Sequence, residues 1–526
     1  MKGFHKKLLR KEVLLILLIE PISKNIDMYV PAYPLPLMEV GSFVKANLPE
    51  IDIEIISIPV DLGLPLNQEG KEEIYRKLLQ DISNLKPKGI GISCTAIAQA
   101  EEVINLCELI KASDPEIFIF LGGYFPTIYY EEIFARTSAV DLIVIGEGEI
   151  PTLKIVQLLE KGKNPLNEDV PNSAWGKKGK IYLTNKRERF NLKQKAYIKL
   201  ELLRYPKAYD ILPYAFSRGC PYQCNFCMEE FIRPQRKEVP PEIILRDLSN
   251  LSQESNTHTL LVSDALFQSF KILPLIRSLG LKINFETRCD VLDPSIISKY
   301  SEILGIIALG LESASYETLR RMNKVRDRVH YQKYIDNAVA IFKEAVSNEI
   351  PIMVFMIAGY PGDTEKNLEE SLNFAKRLSE YKGPGGFIFK IGECRVYPKT
   401  KLYKDIISIP NLIFDNDGVF GQNIVRQPSK DLSFETILAY IQKIFNLSYS
   451  TPKFQATIVN MMPFFRLPSE ALLDPFIPTI CYQDPKRSIF NVRGPSLEKF
   501  RELLPNLTKK YREGMSDQRS RRNLTW

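Results

Sequence analysis

Short apolar runs alternate with amphipathic stretches from residue 12 to about residue 160. The runs are Val13–Ile19, Ile51–Ile58, Gly89–Ser93, Ile117–Leu121 and Leu142–Ile145. Each has the length of a strand and is largely apolar, the pattern of a strand covered on both faces. Glu73–Leu85, Ala98–Lys111 and Ile150–Leu159 instead space their apolar residues as helices do. Buried strands alternating with helices predict an α/β domain over residues 1–164, a doubly wound, Rossmann-like parallel sheet. Ligands of such sheets sit at the carboxyl ends of the strands.

A second alternation, with a different rhythm, occupies residues 206–405. Its strand candidates are Ile211–Phe216, Thr259–Ser263, Lys282–Glu286, Gly305–Leu311, Ile352–Ala358 and Phe387–Gly392. Helical patterns separate them, among them Pro241–Leu251, Pro294–Tyr300, Tyr331–Ser347 and Glu365–Tyr381. Six β/α units predict a partial TIM-like barrel, with its chemistry at the C-terminal strand ends. Between the two domains, Pro165, Pro171 and Gly176–Gly179 punctuate a polar stretch that holds only the strand-like Lys180–Leu183. Residues 165–205 therefore read as a linker. Beyond 405 the pattern breaks: Phe434–Leu447 predicts a helix, and Pro463 to Pro495 is proline-rich and irregular. Residues 406–526 are expected to be mostly helical or irregular, to close the barrel mouth and to select the substrate.

Composition narrows the class. A chain of 526 residues exceeds one ordinary core, and 45% hydrophobic with 25% charged residues is a globular balance. The net charge of +7 is mild, and six basic residues between Lys509 and Arg522 contribute to it. That stretch reads as a solvated tail, so no nucleic-acid partner is expected. Lys6, Lys7, Arg10 and Lys11 before Val13–Ile19 imitate a signal peptide, but the run ends at Glu20-Pro21 without a small-residue cleavage site. A buried first strand explains it better. No stretch reaches the roughly 18 apolar residues of a membrane span. Cys94, Cys107, Cys289, Cys394 and Cys481 are scattered rather than arranged as a disulfide framework, so a reducing, cytoplasmic setting is expected.

The remaining cysteines, Cys220, Cys224 and Cys227, lie in Ser217-Arg218-Gly219-Cys220-Pro221-Tyr222-Gln223-Cys224-Asn225-Phe226-Cys227. Three thiolates this close can converge on one soft metal centre, either zinc or an iron–sulfur cluster. A structural zinc wants a fourth ligand from a second half-site, which does not follow here, and the chain has only 3 His. The C-x3-C-x2-C spacing, with Phe226 before the last cysteine, resembles the cluster loop of the radical S-adenosylmethionine (SAM) enzymes. The resemblance implies a 4Fe–4S cluster on these three residues, with one iron left open for SAM. A structural metal knot is the competing reading.

Further matches follow in the order of that family, each at or near a strand end. They are Ser263-Asp264-Ala265-Leu266-Phe267, Glu286-Thr287-Arg288-Cys289-Asp290, Gly310-Leu311-Glu312-Ser313 and Gly359-Tyr360-Pro361-Gly362-Asp363-Thr364. The resemblance covers about residues 12–405. It implies SAM contacts from Asp264, Arg288, Glu312, Ser313 and Gly359. Asp264 or Glu312 could accept from the ammonium or ribose hydroxyls, Arg288 could fork onto the carboxylate, and the Gly359 turn could let backbone approach the adenine. Taken singly, each is equally a partnered polar group or a plain turn.

Ile92-Ser93-Cys94-Thr95, Leu121-Gly122-Gly123-Tyr124-Phe125-Pro126-Thr127 and Ile145-Gly146-Glu147-Gly148-Glu149 are similar to strand ends of the cobalamin-binding domains fused to such barrels. Ser93, Thr95, Gly122, Gly123 and Gly146 are the expected cobalamin contacts. The alternative is a set of ordinary turns, or a domain that has lost its ligand. Cobalt-ligating domains carry Asp-x-His-x-x-Gly after the first strand, whereas this chain has Glu20-Pro21-Ile22-Ser23-Lys24-Asn25-Ile26-Asp27. No histidine from that motif can ligate the metal.

The resemblance implies reductive cleavage of SAM to a 5′-deoxyadenosyl radical that removes a hydrogen atom from an unactivated carbon. With cobalamin it implies methylation of that carbon. The close alternative is a cyclase, a ring-rearranging enzyme or a carbon–carbon-bond-forming enzyme without methyl transfer. A methylthiotransferase would need a second cluster, for which the N-terminal half offers only Cys94 and Cys107. A cobalamin sensor with a dead barrel conflicts with the intact cysteines. The expected partners are a small-molecule or peptide substrate and an electron donor such as flavodoxin or ferredoxin. No catalytic side chain is assigned from the sequence.

Overall fold

A computed structural model describes residues 13–22, 32–65, 68–406 except 178, 187, 234 and 256, then 409, 412–415 and 423–451. Ser23 to Asp27, the stretch Pro463 to Pro495, Cys481 and the basic segment Lys509–Arg522 lie outside the described residues.

The first domain places β1 (Leu15–Glu20), α1 (Leu35–Asn47), β2 (Asp52–Ser57), α2 (Gln68–Leu85), β3 (Gly89–Ser93), α3 (Ala100–Ser113), β4 (Phe118–Gly122), α4 (Tyr124–Arg136), β5 (Leu142–Val144) and α5 (Glu149–Glu160) in alternation. The five strands are parallel in the order β2-β1-β3-β4-β5. Leu17, Ile19, Ile90, Ile92, Ile119 and Leu121 face a core closed by α2, α3 and α4. The alternate residues Ile16, Leu18, Phe118 and Phe120 pack with α1 and α5. The sheet is doubly wound. Two of its helices, α1 and α4, left little trace in the periodicity. Each carries a proline near its start, Pro36 and Pro126, where the missing N–H would be unpaired anyway.

The expected linker is largely structure. β6 (Ser173–Lys177) pairs antiparallel with β5, and β7 (Lys180–Leu183) pairs with β6, so the sheet has seven strands. The side chains of β7 are all exposed, so no buried face shaped its sequence. Leu192, Ile198, Leu200, Leu202 and Leu203 then run buried towards the second domain. Residues 165–205 extend the first domain rather than drape freely between the two.

The second domain begins with β8 (Leu212–Tyr214) and the short pair β9 (Ser217–Arg218) and β10 (Lys237–Glu238), which flank α6 (Glu229–Ile232). It continues through α7 (Pro241–Glu254), β11 (Thr259–Val262), α8 (Leu273–Ser278), β12 (Lys282–Arg288), α9 (Ser295–Lys299), β13 (Leu304–Glu312), α10 (Tyr316–Arg321) and α11 (Arg328–Ser347). Then follow β14 (Ile352–Ala358), α12 (Glu365–Ser379), β15 (Phe387–Glu393), β16 (Arg395–Val396) and α13 (Lys401–Asp405). Six of these strands form one parallel sheet in the order β15-β14-β13-β12-β11-β8, an open array as a partial barrel requires.

After the barrel, β17 (Ile413–Asp415) and β18 (Asn423–Gln427) pair antiparallel, with β16 on the other side of β18. The expected last helix is α14 (Phe434–Phe445). Behind it, Tyr449 exchanges two backbone hydrogen bonds with Phe387 on the edge strand β15, at 2.8 and 2.9 Å. No helix among the described residues is long and apolar enough to cross a membrane.

The domains share a core: the α1 and α5 side of the first sheet is continuous with the apolar layer between the barrel sheet and its outer helices. A charged knot crosses the same boundary. Arg218 is 6% exposed. It donates to Glu39 at 2.8 Å and Glu149 at 2.5 Å, and meets Glu147 at 3.3 Å. Lys195 links Glu39 (3.3 Å) to Asp247 (2.7 Å) on α7. Removing the cation would take the ion pair from buried Glu149 and leave Glu39 to Lys195 and Glu147 to Arg189 and Phe190 N–H, and breaking a buried pair costs about 3–5 kcal/mol. Arg218→Met should therefore lose about that much stability in chemical denaturation. A loss near zero would show that the knot does not hold the domains together.

Candidate active site

The three cysteines follow β9 on a loop fixed at both ends. Gly219 has φ +86°, and a Cβ there would lie 2.3 Å from the Gln235 carbonyl oxygen, so only glycine lets the chain turn into Cys220. Upstream, Phe216 N–H (2.7 Å) and Ser217 N–H (3.2 Å) donate to one oxygen of Asp264, and the Ser217 hydroxyl donates to the other. Downstream, Asn225 donates from its backbone to Met322 O (3.0 Å) and from its amide to Arg321 O (2.8 Å). Asn323 donates to Gln223 O at 2.7 Å.

Cys224 is buried, and Cys220 and Cys227 are half-buried. Burial pushes the Cys227 thiol up to about 12 and raises that of Cys220 as well. Such thiols keep their protons until a thiophilic metal displaces them. Among the described residues, no three His, Cys, Asp or Glu side chains are gathered as for one metal ion. The ligands of a cluster each bind a different iron and need not meet at one point. Arg288 Nη1 lies 3.3 Å from Cys224 Sγ, a donor suited to a thiolate. An all-thiol donor set with a cation beside it fits an iron–sulfur cluster.

The five expected SAM contacts divide sharply. Asp264 is engaged by the chain: both its oxygens hold the residues just before Cys220, and burial raises its carboxyl to about 6. Arg288 is engaged too: its guanidinium forks onto Asp290 at 2.8 and 2.9 Å. Ser313 is buried, sharing a hydrogen bond with Ser371 Oγ (3.1 Å) and accepting from Ser315 N–H (3.1 Å). The space that Gly359 leaves is taken by Ile437 of α14, 2.7 Å from where a Cβ would be, so no ligand occupies that side. Glu312 alone keeps a usable group. Its Oε1 accepts from Lys324 Nζ at 2.8 Å, and its other oxygen has no protein donor among the described residues.

Strand register shows what surrounds Glu312. Gly310 on β13, Phe355 on β14 and Lys390 on β15 are lateral partners, so their side chains share a face. On β14, Met353, Phe355 and Ile357 are partly exposed while their alternates are buried. Glu286 on β12 is exposed, on the row of Ala308 and Met353. Burial by the surrounding protein raises its carboxyl, the charge of Lys390 lowers it, and that of Glu312 raises it. Lys390 Nζ sits 5.1 Å from the centre of the Phe355 ring. The inner face of the barrel is thus an apolar wall with three charges. Lys390 was missed from the sequence, although a lysine inside Phe387-Ile388-Phe389-Lys390-Ile391 is the visible signal.

The strand ends of the first domain form a second surface. Gly123 has φ +110°, and a Cβ there would come 2.4 Å from the Cys94 carbonyl oxygen, so this glycine serves the packing of two loops. Thr127 Oγ1 donates to Gly123 O (2.8 Å) and accepts from Gly146 N–H (2.9 Å), tying the loops after β4 and β5. Sequence reasoning quoted Thr127 but gave it no role. Among the described residues, nothing lies within 4 Å of where a Gly146 Cβ would stand, and only Val144 at 4.0 Å approaches that of Gly122. Ser93 is half-buried beside them, whereas Thr95 is turned to Gln99 Oε1 at 2.9 Å from its backbone and 3.2 Å from its hydroxyl. The open cradle of Ser93, Gly122 and Gly146 fits a ligand laid along the strand ends; Gly123 packs against Cys94, and Thr95 is exposed with its bonds to Gln99.

The two surfaces adjoin. Tyr124, next to Gly123, donates to Glu229 on α6 at 3.0 Å and accepts from Arg233 at 3.0 Å. Met228 and Ile232, just past Cys227, pack against the core of the first domain.

Family models agree with this division. One for the radical SAM superfamily matches residues 214–375, and one for the B12 binding domain matches residues 34–156. An uncharacterized methyltransferase of Pyrococcus horikoshii is 23% identical over 468 residues, covering 84% of this chain and 94% of that one. The anaerobic magnesium-protoporphyrin IX monomethyl ester cyclase of Rubrivivax gelatinosus is 25% identical over 331 residues, and this chain spans 57% of its length. The hopanoid C-3 methylase of Methylococcus capsulatus is 25% identical over 316 residues, with 58% of its length spanned. In fold, the chain is similar to the cobalamin-dependent SAM radical enzyme OxsB, with TM-score 0.65, 16% identity, and coverage of 82% of this chain and 66% of that one. It is also similar to the radical SAM methyltransferase TsrM of Kitasatospora setae, with TM-score 0.61, 13% identity, and coverage of 88% and 91%. The chain belongs to the radical SAM superfamily and carries an N-terminal B12-binding domain, which together imply a 4Fe–4S cluster, SAM and cobalamin as its cofactors.

Proposed function

We propose that this cobalamin-dependent radical SAM enzyme methylates an unactivated carbon of a small-molecule or peptide substrate. The observation that carries the reading is the junction at Tyr124, where the loop offering the glycine cradle touches Glu229 beside the cluster cysteines. The site for a methyl donor and the site for a radical source then meet at one interface. Support for methyl transfer over cyclisation comes from coverage. The relatives matched over nine-tenths of their own length are named methyltransferases, while the cyclase is matched over 57%.

When bound, the cluster with SAM supplies a hydrogen-abstracting radical, and cobalamin supplies a transferable methyl group. The chain's own residues bind, orient and exclude water. Cys220, Cys224 and Cys227 would hold the cluster, and Ser93, Gly122 and Gly146 would hold the corrinoid. The free oxygen of Glu312 would accept from the ammonium or a ribose hydroxyl of SAM. Met353, Phe355 and Ile357 would form the wall against which the substrate lies, keeping water from a reactive centre. Lys390 and Glu286 would orient polar groups of the substrate within that wall. Radical SAM enzymes need a reductant, and flavodoxin or ferredoxin would serve.

Three outcomes follow from this assignment. Cys224→Ala should lose both cluster content and SAM cleavage, since three thiolates leave no substitute ligand; undiminished 5′-deoxyadenosine formation would refute the radical reading. Glu312→Gln should weaken SAM binding by about 1.5–3 kcal/mol in calorimetry while the cluster stays loaded, and unchanged affinity would remove Glu312 from the site. Gly122→Leu meets no protein atom closer than 4.0 Å at its Cβ, so it should fold, load its cluster and fail to take up corrinoid. With the SAM methyl labelled, label should reach product carbon in the parent protein and not in this variant. Corrinoid binding without label transfer would favour the cyclase-type chemistry instead.

A further inference from the structure

We propose that Arg288, held in one orientation by Asp290, Lys324 and Tyr222, raises the reduction potential of the cluster by donating to the thiolate of Cys224. The proposal rests on the placement of the cluster on Cys220, Cys224 and Cys227. Arg288 ends β12 and is 6% exposed. Its Nε and Nη2 fork onto the two oxygens of Asp290 at 2.8 and 2.9 Å, and Nη2 also donates to Lys324 O at 3.0 Å. The guanidinium carbon lies 3.8 Å from the centre of the Tyr222 ring, a residue of the cluster loop itself. Asp290 is steadied in turn by His330 Nε2 at 3.3 Å. These contacts fix the plane of the guanidinium and leave Nη1 aimed at Cys224 Sγ, 3.3 Å away.

Counting donors shows what this arrangement can do. A guanidinium has five N–H groups. Asp290 and the Lys324 carbonyl take those on Nε and Nη2, and the cysteine takes one of the two on Nη1. No pair of parallel N–H groups remains to clamp a carboxylate, so Arg288 is not a fork for SAM. What remains is a charge that cannot be lost near neutral pH, placed on a cluster ligand. Reduction adds one electron, and the added negative charge is stabilised by a buried cation at hydrogen-bond distance from a ligand sulfur. Hydrogen bonds to the sulfurs and local charge are the levers by which proteins set cluster potentials. The burial of Asp290 works against its charge, yet Arg288 holds its carboxyl below the usual range, so the pair stays ionised. Arg288 is thus a positioning residue that acts through the cluster.

The test is an anaerobic redox titration of the reconstituted full-length protein, read by electron paramagnetic resonance. Arg288→Gln should lower the ratio of reduced to oxidised cluster at a fixed poise by about tenfold, which is about 59 mV more negative for a one-electron couple. Arg288→Lys should recover part of the loss. A loaded Arg288→Gln cluster with an unchanged midpoint would overturn the proposal. Should that variant fail to load, the parent protein grown with isotopically labelled arginine decides the matter by electron–nuclear double resonance. An arginine nitrogen coupled to the reduced cluster supports the proposal, and no coupling overturns it. A parent protein that builds no cluster, or one that Cys224→Ala builds equally well, would refute the cluster assignment itself and this inference with it.

Discussion

The relation between the two domains depends on the charge of Arg218. It stands two residues before the first cluster cysteine, and its guanidinium is surrounded by Glu39, Glu147 and Glu149 of the first domain. A cation taken out of water needs such partners, and carboxylates this close together need such a cation. Neither side is stable alone. Glu147 and Glu149 follow Gly146, so the knot ties the loop after β5 directly to β9, the strand that leads into Cys220, Cys224 and Cys227. The two cofactor surfaces are registered to each other by a few ångströms of salt bridge, not by a linker.

Local physics explains which parts of this fold could be read from the chain. The parallel strands announced themselves because both their faces are apolar: β1 is covered on both sides, and β14 buries one face and turns Met353, Phe355 and Ile357 to the inner wall, so Val13–Ile19 and Ile352–Ala358 carry no polar residue. β7 was visible as the strand-like Lys180–Leu183, but β6 was not, because Ser173-Ala174-Trp175-Gly176-Lys177 is short and carries a glycine where a strand pattern would continue. α4 was hidden by Gly122-Gly123-Tyr124-Phe125-Pro126, which reads as a loop until the proline is recognised as the first turn of a helix. Gly146-Glu147-Gly148-Glu149 likewise showed its glycines and concealed that its acids serve Arg218.

The site was legible to the extent that chemistry is written in residue types. Cys220, Cys224 and Cys227 stood out by their spacing as a set for one soft metal centre, and the family resemblance made that centre an iron–sulfur cluster. Asp264 and Arg288 drew attention by residue type: a carboxylate and a guanidinium announce that they will bind something, but not what part of the chain they will hold. For Asp264 the partner is the backbone of Phe216 and Ser217, and for Arg288 it is Asp290 and a cysteine sulfur. Lys390 was overlooked for the opposite reason. One charge inside an apolar strand gains meaning only when register shows that Phe355 and Gly310 stand beside it.

The pairing of Phe387 with Tyr449 has a consequence for the birth of the protein. β15 is an outer strand of the six-stranded sheet, and an uncovered outer strand invites pairing with another chain. Here Tyr449 closes it at Phe387, and the Ser448 hydroxyl accepts from Phe389 N–H at 3.0 Å. Those shielding residues lie some 60 positions downstream, and chains leave the ribosome at roughly 5–20 residues per second. The nascent barrel therefore carries a sticky rim for several seconds after its last strand has emerged. Its own C-terminal segment then acts as the chaperone that ends the exposure.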